Sequence, residues 1–309
     1  MTPEAIKVGR SLAHVAIQCP TPFVICTMTV MLRQTPHPAD AIETEAALAR
    51  AFNAHWGGNF EAVDASEHLL ARELFRMLLA DIRSPSVEST LRELNLASRW
   101  FNTRQGEARV IHEQAGHGRG RGVFAFRQTD SDCVLQAPHT RNDVGTGLLT
   151  GAWMAHLDIR AAAWNTVSRR ASPAADLARA SRSYFIALTD AAIDVIGSPA
   201  IVQTHGYDRE KRSTGAGRNS QVILSSGTDR PMGRTRNIAR RLKRTLTGVK
   251  LYPLDIMELG ATQNVIGRRV RQRGAGTFTH IELGRALREQ LRAERAIALR
   301  VGQTLIQPD

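Results

Sequence analysis

Helix and strand patterns alternate along the chain from Cys133 onward. The short apolar run Cys133–Pro138 predicts a strand, Thr146–Asp158 a helix and Ala161–Val167 a second strand. An amphipathic pattern over Pro173–Ile196 predicts a long helix, and Ala200–Thr204 predicts the strand after it. Such alternation is typical of an α/β fold. We therefore expect a central mixed β-sheet flanked by helices.

The remaining patterns extend this fold in both directions. Five more short strands are predicted at Ala108–His112, Gly122–Arg127, Val222–Leu224, Val249–Tyr252 and Thr277–Leu283. Residues 41–100 are expected to be helical, including a helix over Val87–Trp100. The chain has 309 residues, 42% of them hydrophobic, which is enough to bury a substantial core. We expect a single α/β hydrolase domain over residues 41–309.

Residues 1–40 form an N-terminal extension that is a possible export signal or anchor. No Asp, Glu, Lys or Arg lies between Arg10 and Arg33, as in the apolar part of a signal peptide. Pro20 and Pro22 argue against a stable membrane helix in this stretch. Since no small-residue cleavage site follows, both export and a cytoplasmic location stay open.

The chain is strongly basic. It carries 41 Lys and Arg residues against 29 Asp and Glu, a formal net charge of +12. A surface of this kind attracts anions, whether nucleic acid, acidic lipid or an acidic substrate. Aromatic residues make up only 5% of the chain and do not alternate with the basic ones, as a base-stacking surface requires. This weakens the nucleic-acid interpretation without removing it, and we expect a small anionic substrate instead of nucleic acid.

A candidate pair of metal ligands follows the strand Cys133–Pro138. His139 and Asp143 lie on a polar segment between this strand and the next helix, where α/β folds form their sites. An imidazole and a carboxylate on such a loop can bind one cation. The alternative is that Asp143 only caps the helix. The three cysteines lack the spacing of a thiolate site, so a metal here must be held by histidine and carboxylate.

Two later strands carry further candidates. The first of them ends at His205, and two-residue periodicity in the second puts His280 and Glu282 on one face. A carboxylate in an apolar strand needs a partner. The simplest structural partner for Glu282 is Arg285 or Arg288, at the start of the following helix.

The order of these segments resembles that of zinc carboxypeptidases and their amidohydrolase relatives. The likeness covers about Val123 to Arg288 and is nearest to the poly-gamma-glutamate hydrolase branch, related to N-formylglutamate amidohydrolases. Those relatives hold zinc with a strand-end histidine, an acidic residue and a later His-Gly, which resemble His139, Asp143 and His205. The spacing departs from the carboxypeptidase pattern, because it is His-x-x-x-Asp instead of His-x-x-Glu.

The resemblance also implies a fold and an activity. The catalytic base of these relatives lies in a Thr-x-x-Glu-Leu strand, which is similar to Thr279–Leu283 with Glu282 as the base. It implies a zinc-exopeptidase (phosphorylase/hydrolase-like) architecture, here with a helical N-terminal extension, and hydrolysis of a peptide or gamma-glutamyl amide bond with Zn²⁺. The residues that we expect to contact the substrate are Arg141, Arg170, Arg209 and His280.

Two functions from different classes are therefore open. One is a zinc hydrolase acting on a small peptide or polyglutamate-like substrate. The other is a non-catalytic basic module that binds nucleic acid or an acidic polymer, with strong salt dependence and no response to chelators. The hydrolase is favoured, because a binding surface does not require His139, His205 and Glu282 at strand ends.

Overall fold

The computed structural model describes residues 45–49 and 59–307. The strands in that part of the chain are β1 (Leu96–Thr103), β2 (Gly106–Glu113), β3 (Val123–Arg127), β4 (Cys133–Ala137), β5 (Ala161–Trp164), β6 (Ala200–Tyr207), β7 (Val222–Ser225), β8 (Val249–Leu251) and β9 (Thr277–Gly284). They form one sheet in the order β1-β2-β3-β5-β4-β6-β9-β7-β8. Pairing is parallel from β5 through β4 and β6 to β9 and between β7 and β8, and antiparallel elsewhere.

Helices cover both faces of this sheet. They are α1 (Ala65–Ala80), α2 (Ser86–Glu93), α3 (Thr146–His156), α4 (Tyr184–Ile196), α5 (Gly215–Arg218), α6 (Gly233–Leu242), α7 (Val265–Arg273), α8 (Arg285–Ala293) and α9 (Arg295–Ile306), besides a helical segment at 45–49. Helices α3, α6, α8 and α9 bury one core, and α1, α2, α4 and α7 bury the other. The predicted α/β class, with a central mixed sheet flanked by helices, is confirmed.

Strand β3 illustrates how the sequence supplies both cores. Val123 and Ala125 belong to the core under α3 and α9, whereas Phe124 and Phe126 belong to the core under α1 and α4. All four side chains are fully buried. A strand covered on both faces reads as a continuous apolar run, because successive side chains point to opposite sides.

The order of the strands creates a crevice beside β4. The chain leaves β4 through α3 and returns as β5 on one side, then leaves β5 through α4 and returns as β6 on the other side of β4. From β6 the chain continues to β7, farther along on the side away from β4. The connections that leave β4 and β6 therefore depart in opposite directions above the carboxyl ends of these two neighbouring strands. This is the position at which open α/β sheets bind ligands.

The helix predicted over Val87–Trp100 is wrong in its second half. Helix α2 ends at Glu93, and β1 begins at Leu96 and pairs with β2 along its whole length. Asn95 between them has a φ of 54°, a left-handed conformation that ends a helix. Pairing at the edge of the sheet overrides the helical spacing of the apolar residues.

The long helix predicted from Pro173 begins only at Tyr184. The first three residues of the predicted helix, Pro173–Ala175, form a separate 3-10 turn. Helix α4 starts after Ser183, whose Oγ accepts a hydrogen bond from the Ile186 N–H at 3.2 Å. The segment between the turn and α4 is irregular, and it carries Asp176 to the carboxyl end of the sheet.

The N-terminal extension predicted at residues 1–40 lies outside the described residues. Its role as an export signal or an anchor stays a prediction. Among the helices of residues 45–49 and 59–307, none combines the length and the apolar character that a membrane crossing requires.

Replacing Gly302 by alanine should destabilise the protein. In α9, a Cβ at this position would overlap the indole ring of the fully buried Trp153 in α3. Overpacking of this kind costs about 1–3 kcal/mol, although Gly→Ala within a helix normally stabilises. Chemical denaturation would measure the loss. The control is Gly233→Ala, where a Cβ meets no atom within 4 Å; equal stability of the two variants would contradict the packing argument.

Candidate metal centre

The turn between β4 and α3 holds His139 and Asp143 close together. The Asp143 N–H donates to the His139 carbonyl at 2.7 Å, and Gly145, with a φ of 96°, leads the chain into α3. Gly145, not Asp143, is the N-cap, and it has no side chain that could cap the helix. The capping alternative for Asp143 is therefore wrong. Its Oδ2 instead lies 3.8 Å from His139 Nδ1.

His205 approaches the same carboxylate from β6. The strand continues to Tyr207 instead of ending at Thr204, because it pairs with β9 over eight residues. His205 Nδ1 lies 3.3 Å from Asp143 Oδ2. One ligand atom from each of His139, Asp143 and His205 lies within 4.8 Å of the others, and all three residues are buried. The structure thus brings the three predicted ligands into a group that can hold a metal ion.

Glu282 lies beside this group on β9, opposite His205 in the strand register. It is buried, and its Oε1 is 3.6 Å from His280 Nε2. Its Oε2 has no hydrogen-bond partner among the described residues. The predicted structural alternative, an ion pair between Glu282 and Arg285 or Arg288, is not formed within this part of the chain.

Arg288 instead fastens the turn that carries His139 and Asp143 to the sheet. Its Nε donates to the Val144 carbonyl at 2.9 Å, and its Nη1 donates to the Leu283 carbonyl. The guanidinium lies directly against Gly206, where any Cβ would overlap it. The glycine that follows His205 is therefore needed for this close approach.

Burial and local charge favour the protonation states that bind metal. Burial acts to raise the pKa of Asp143. At the low pH where this carboxyl titrates, however, the hydrogen bond and charge of the protonated His205 and the charge of His139 outweigh burial and lower that pKa. Burial lowers the pKa of His205, against the opposing effect of Asp143. Near neutral pH the group therefore offers an ionised carboxylate and a neutral imidazole, the forms that coordinate metal.

The neighbouring pair on β9 is also perturbed. Burial, reinforced by the charge of Asp143, raises the pKa of Glu282 to about 8. Burial and the adjacent His205 and His139 lower the pKa of His280 well below its usual value, so this ring is neutral. A carboxyl group that titrates near neutral pH beside a possible metal position is suited to general-base catalysis.

In both histidines of the group, the ring nitrogen that points away from the candidate metal position lies beside a hydrogen-bond acceptor. His139 Nε2 bonds to Asp176 Oδ1 at 2.8 Å, and His205 Nε2 bonds to Gln203 Oε1 at 3.0 Å. Metal-bound histidines usually donate their second N–H to such an acceptor. Neither Asp176 nor Gln203 was identified from the sequence.

A second possible metal group shares one residue with the first. His205, His280 and Glu282 also offer ligand atoms within 4.8 Å of one another. In contrast to the first group, the His280 Nδ1 and the Glu282 Oε2 have no hydrogen-bond partner among the described residues. The group formed by His139, Asp143 and His205 is therefore better prepared to hold a metal.

Cationic side chains surround this centre. A cleft of about 620 Å³ opens on one side of it and another of about 520 Å³ on the other, and Arg169 and Arg170 line both. The cationic residues along the larger cleft are Arg141, Arg169, Arg170, Lys211, Arg212, Arg285, Arg288 and Arg292. Arg169 contacts one of the candidate ligands, with its Nη1 3.4 Å from His139 Nδ1. The centre is thus accessible to an anionic molecule.

The four residues expected to contact a substrate are placed differently. Arg141 and Arg170 line the larger cleft, and Arg170 and the largely buried His280 line the smaller one. Arg209 lines neither, because its Nε donates to the Arg218 carbonyl at 2.7 Å. Arg209 begins the 3-10 turn that follows β6, so neither cleft supports its predicted contact with a substrate.

No family model matches this chain, and no curated protein matches it. Several solved structures align with it, including the following two. An N-formylglutamate amidohydrolase from Ralstonia eutropha JMP134 is 12% identical with a TM-score of 0.42, over 60% of this chain and 98% of its own. A gene product from Agrobacterium tumefaciens is 13% identical with a TM-score of 0.35, over 57% and 87%. Neither is named as a carboxypeptidase or protease, and at this distance the function must be argued from the site.

Glu282→Gln should change how stability depends on pH in the metal-free protein. Because the folded-state pKa of about 8 exceeds the ordinary 4.5, the unfolded chain loses this proton first as pH rises, and stability falls across that interval. Glutamine stays neutral. The variant should therefore gain roughly 3 kcal/mol relative to the wild type between about pH 5 and pH 8.

Denaturant titrations of chelator-treated protein at both pH values would measure this gain. The exposed Glu289→Gln on the cleft rim is the matched control. A stability difference for Glu282→Gln that is the same at both pH values would contradict the assigned pKa.

Proposed function

We propose that the protein is a zinc-dependent hydrolase that cleaves an amide bond, of peptide or gamma-glutamyl type, in a carboxylate-bearing substrate. The observation that carries this proposal is the buried group of His139, Asp143 and His205 with Glu282 beside it. Two imidazoles and one carboxylate are a ligand set typical of catalytic zinc, which keeps a further position open. Imidazole ligands disfavour calcium and magnesium.

In this proposal His139, Asp143 and His205 hold the metal, which when bound supplies a Lewis acid that polarises a carbonyl and acidifies water. Glu282 takes the proton of the attacking water and returns it to the leaving nitrogen. Its Oε2, which has no hydrogen-bond partner among the described residues, is available for that proton. A positive charge nearby lowers a carboxyl pKa, so Glu282 is ionised when the site is loaded.

The arginines of the two clefts bind the negative parts of the substrate. Arg170, which lines both clefts, is assigned to a substrate carboxylate together with Arg141. Arg169 is assigned to the oxygen that becomes negative during attack, since its guanidinium already lies beside His139. The amide specificity follows the family resemblance of the sequence.

Zinc binding and turnover should separate in two variants. His205→Ala removes a ligand and should abolish the binding of about one Zn²⁺ per chain. Glu282→Gln should keep zinc but lower kcat about 100- to 10,000-fold, because the base is lost. Isothermal titration with Zn²⁺ and hydrolysis of N-acyl amino acids and gamma-glutamyl peptides would measure both properties.

The exposed His117→Ala is the control and should leave both properties unchanged. Wild-type protein that takes up no metal after zinc supplementation would refute the proposed site. Full activity of Glu282→Gln would refute the assigned base.

Arg170→Gln should raise KM for N-acetylglutamate about tenfold while changing kcat little, because a hydrogen bond to a charged group is lost. N-acetylglutamine, which lacks the side-chain carboxylate, should be affected less. Steady-state kinetics on both compounds would test this. The control is Arg209→Gln, whose arginine lines neither cleft; the same KM increase in the two variants would contradict the assignment.

A further inference from the structure

A chain of buried hydrogen bonds runs from His205 into the core. His205 Nε2 lies 3.0 Å from Gln203 Oε1, Gln203 Nε2 donates to Gln136 Oε1 at 3.1 Å, and Gln136 Nε2 donates to Thr189 Oγ1 at 3.0 Å. The two glutamines and the threonine are completely buried. Amides in an apolar core cost free energy unless their donors and acceptors are used. Their placement behind a candidate metal ligand therefore indicates a role.

The direction of these hydrogen bonds is fixed at the start of α7. Asn264 is the N-cap of this helix, and its Oδ1 accepts from the backbone N–H groups of Ile266 and Gly267 at 3.0 and 3.2 Å. A backbone N–H can only donate, so the oxygen of the Asn264 amide must face the helix. Its nitrogen therefore faces Gln203 and donates to Gln203 Oε1.

The opposite end of the chain requires the same direction. Thr189 Oγ1 donates to the Phe185 carbonyl at 2.8 Å, and this leaves the hydroxyl oxygen to accept from Gln136 Nε2. The Oε1 of Gln136 must then face Gln203 and accept a hydrogen bond from the Gln203 Nε2. Two independent ends thus direct the Oε1 of Gln203 toward His205.

An acceptor oxygen beside the Nε2 of His205 requires a proton on that nitrogen. A neutral imidazole has one N–H and one lone pair, so the lone pair is on Nδ1, which lies 3.3 Å from Asp143 Oδ2. A lone pair and a carboxylate that face each other are complementary to a cation. We infer that Gln203 is a positioning residue, oriented by Asn264, that keeps His205 protonated on Nε2 and leaves Nδ1 for the metal.

This inference rests on the proposed metal site, but its first test does not require metal. In full-length protein with ¹⁵N-labelled histidine, long-range ¹H–¹⁵N spectra should show a proton on the Nε2 of His205, both without metal and with Zn²⁺. The signal is assigned by its loss in His205→Gln. A His205 with no proton on Nε2 would overturn the inference even if zinc binds.

Gln203→Met removes the acceptor and keeps the length of the side chain. Zinc affinity should fall about 10- to 100-fold, the usual effect of losing an outer-shell partner, and the Nε2 proton of His205 should no longer be held. The matched control is Gln136→Met, which breaks the same buried chain but leaves Gln203 Oε1 bonded to Asn264. Both variants should lose similar stability, and only Gln203→Met should lose zinc affinity.

An equal loss of zinc affinity in the two variants would show a structural role alone and would overturn the inference. Asn264→Asp gives a second test, which does not depend on either glutamine variant folding. Aspartate keeps the helix cap but cannot donate to Gln203, and its second carboxylate oxygen would face Gln203 Oε1. The Thr189 hydroxyl can turn to donate to Gln136 instead of to Phe185, so both glutamine amides should rotate, and Gln203 should turn its N–H toward His205. The proton of the imidazole then moves to Nδ1, and zinc affinity should fall about tenfold or more.

The control for this variant is Asn264→Ser, which also caps the helix and does not force the rotation. An Asn264→Asp protein with unchanged zinc affinity and with the proton still on Nε2 would overturn the inference. If the wild type binds no zinc, the proposed function fails, whereas the spectra of the metal-free proteins still decide the role of Gln203.

Discussion

The register between the parallel strands β6 and β9 is the constraint on which the whole centre depends. It sets His205 opposite Glu282 and Gln203 opposite His280. Because side chains alternate between the two faces of a strand, a shift of one residue would exchange these polar groups with the apolar ones of the core. The hydrophobic pattern that fixes the fold therefore also fixes which polar groups meet. The crevice beside β4 then brings the turn with Asp143 above them.

Burial at the carboxyl ends of the parallel strands shifts the pKa values of the histidine and the glutamate in opposite directions, although the cause is the same. Removal from water disfavours the charged form of every group. It therefore lowers the pKa of His205 and raises that of Glu282. The first effect yields a neutral imidazole that can bind metal, and the second yields a carboxyl group that holds a proton near neutral pH. Asp143 stays ionised in the same surroundings because two imidazoles adjoin it.

The sequence was informative where function and strand pattern coincide. His139 and His205 were recognisable because a polar residue near the end of an apolar run lies at the carboxyl end of a strand. Glu282 was recognisable because it is a charged residue within an apolar strand. The same signal was present at Gln136 and Gln203, which are polar residues inside the apolar runs of β4 and β6. Their meaning depends on which residue lies beside them, and that is known only from the strand order.

Other parts of the centre had no local signal. Asp176 follows His139 by 37 positions and lies in a segment whose periodicity predicted a helix. Arg169 and Arg212 reach the clefts only through the tertiary fold, while Arg209, adjacent to a ligand strand, does not. Sequence spacing identifies the residues that strands carry to the crevice. It does not identify residues such as Asp176 and Arg169, which lie in irregular segments and reach the crevice only in the folded protein.

The two histidines have different acceptors behind them, and depth in the protein accounts for the difference. Asp176, behind His139, has 27% of its side chain exposed, so its charge stays partly solvated. Gln203, behind His205, is completely buried, where a carboxylate would be costly without a partner. An amide accepts the same hydrogen bond without a charge, but it can also present its N–H instead. The buried position therefore needs additional hydrogen bonds to fix the orientation of Gln203, and Asn264 and Gln136 provide them.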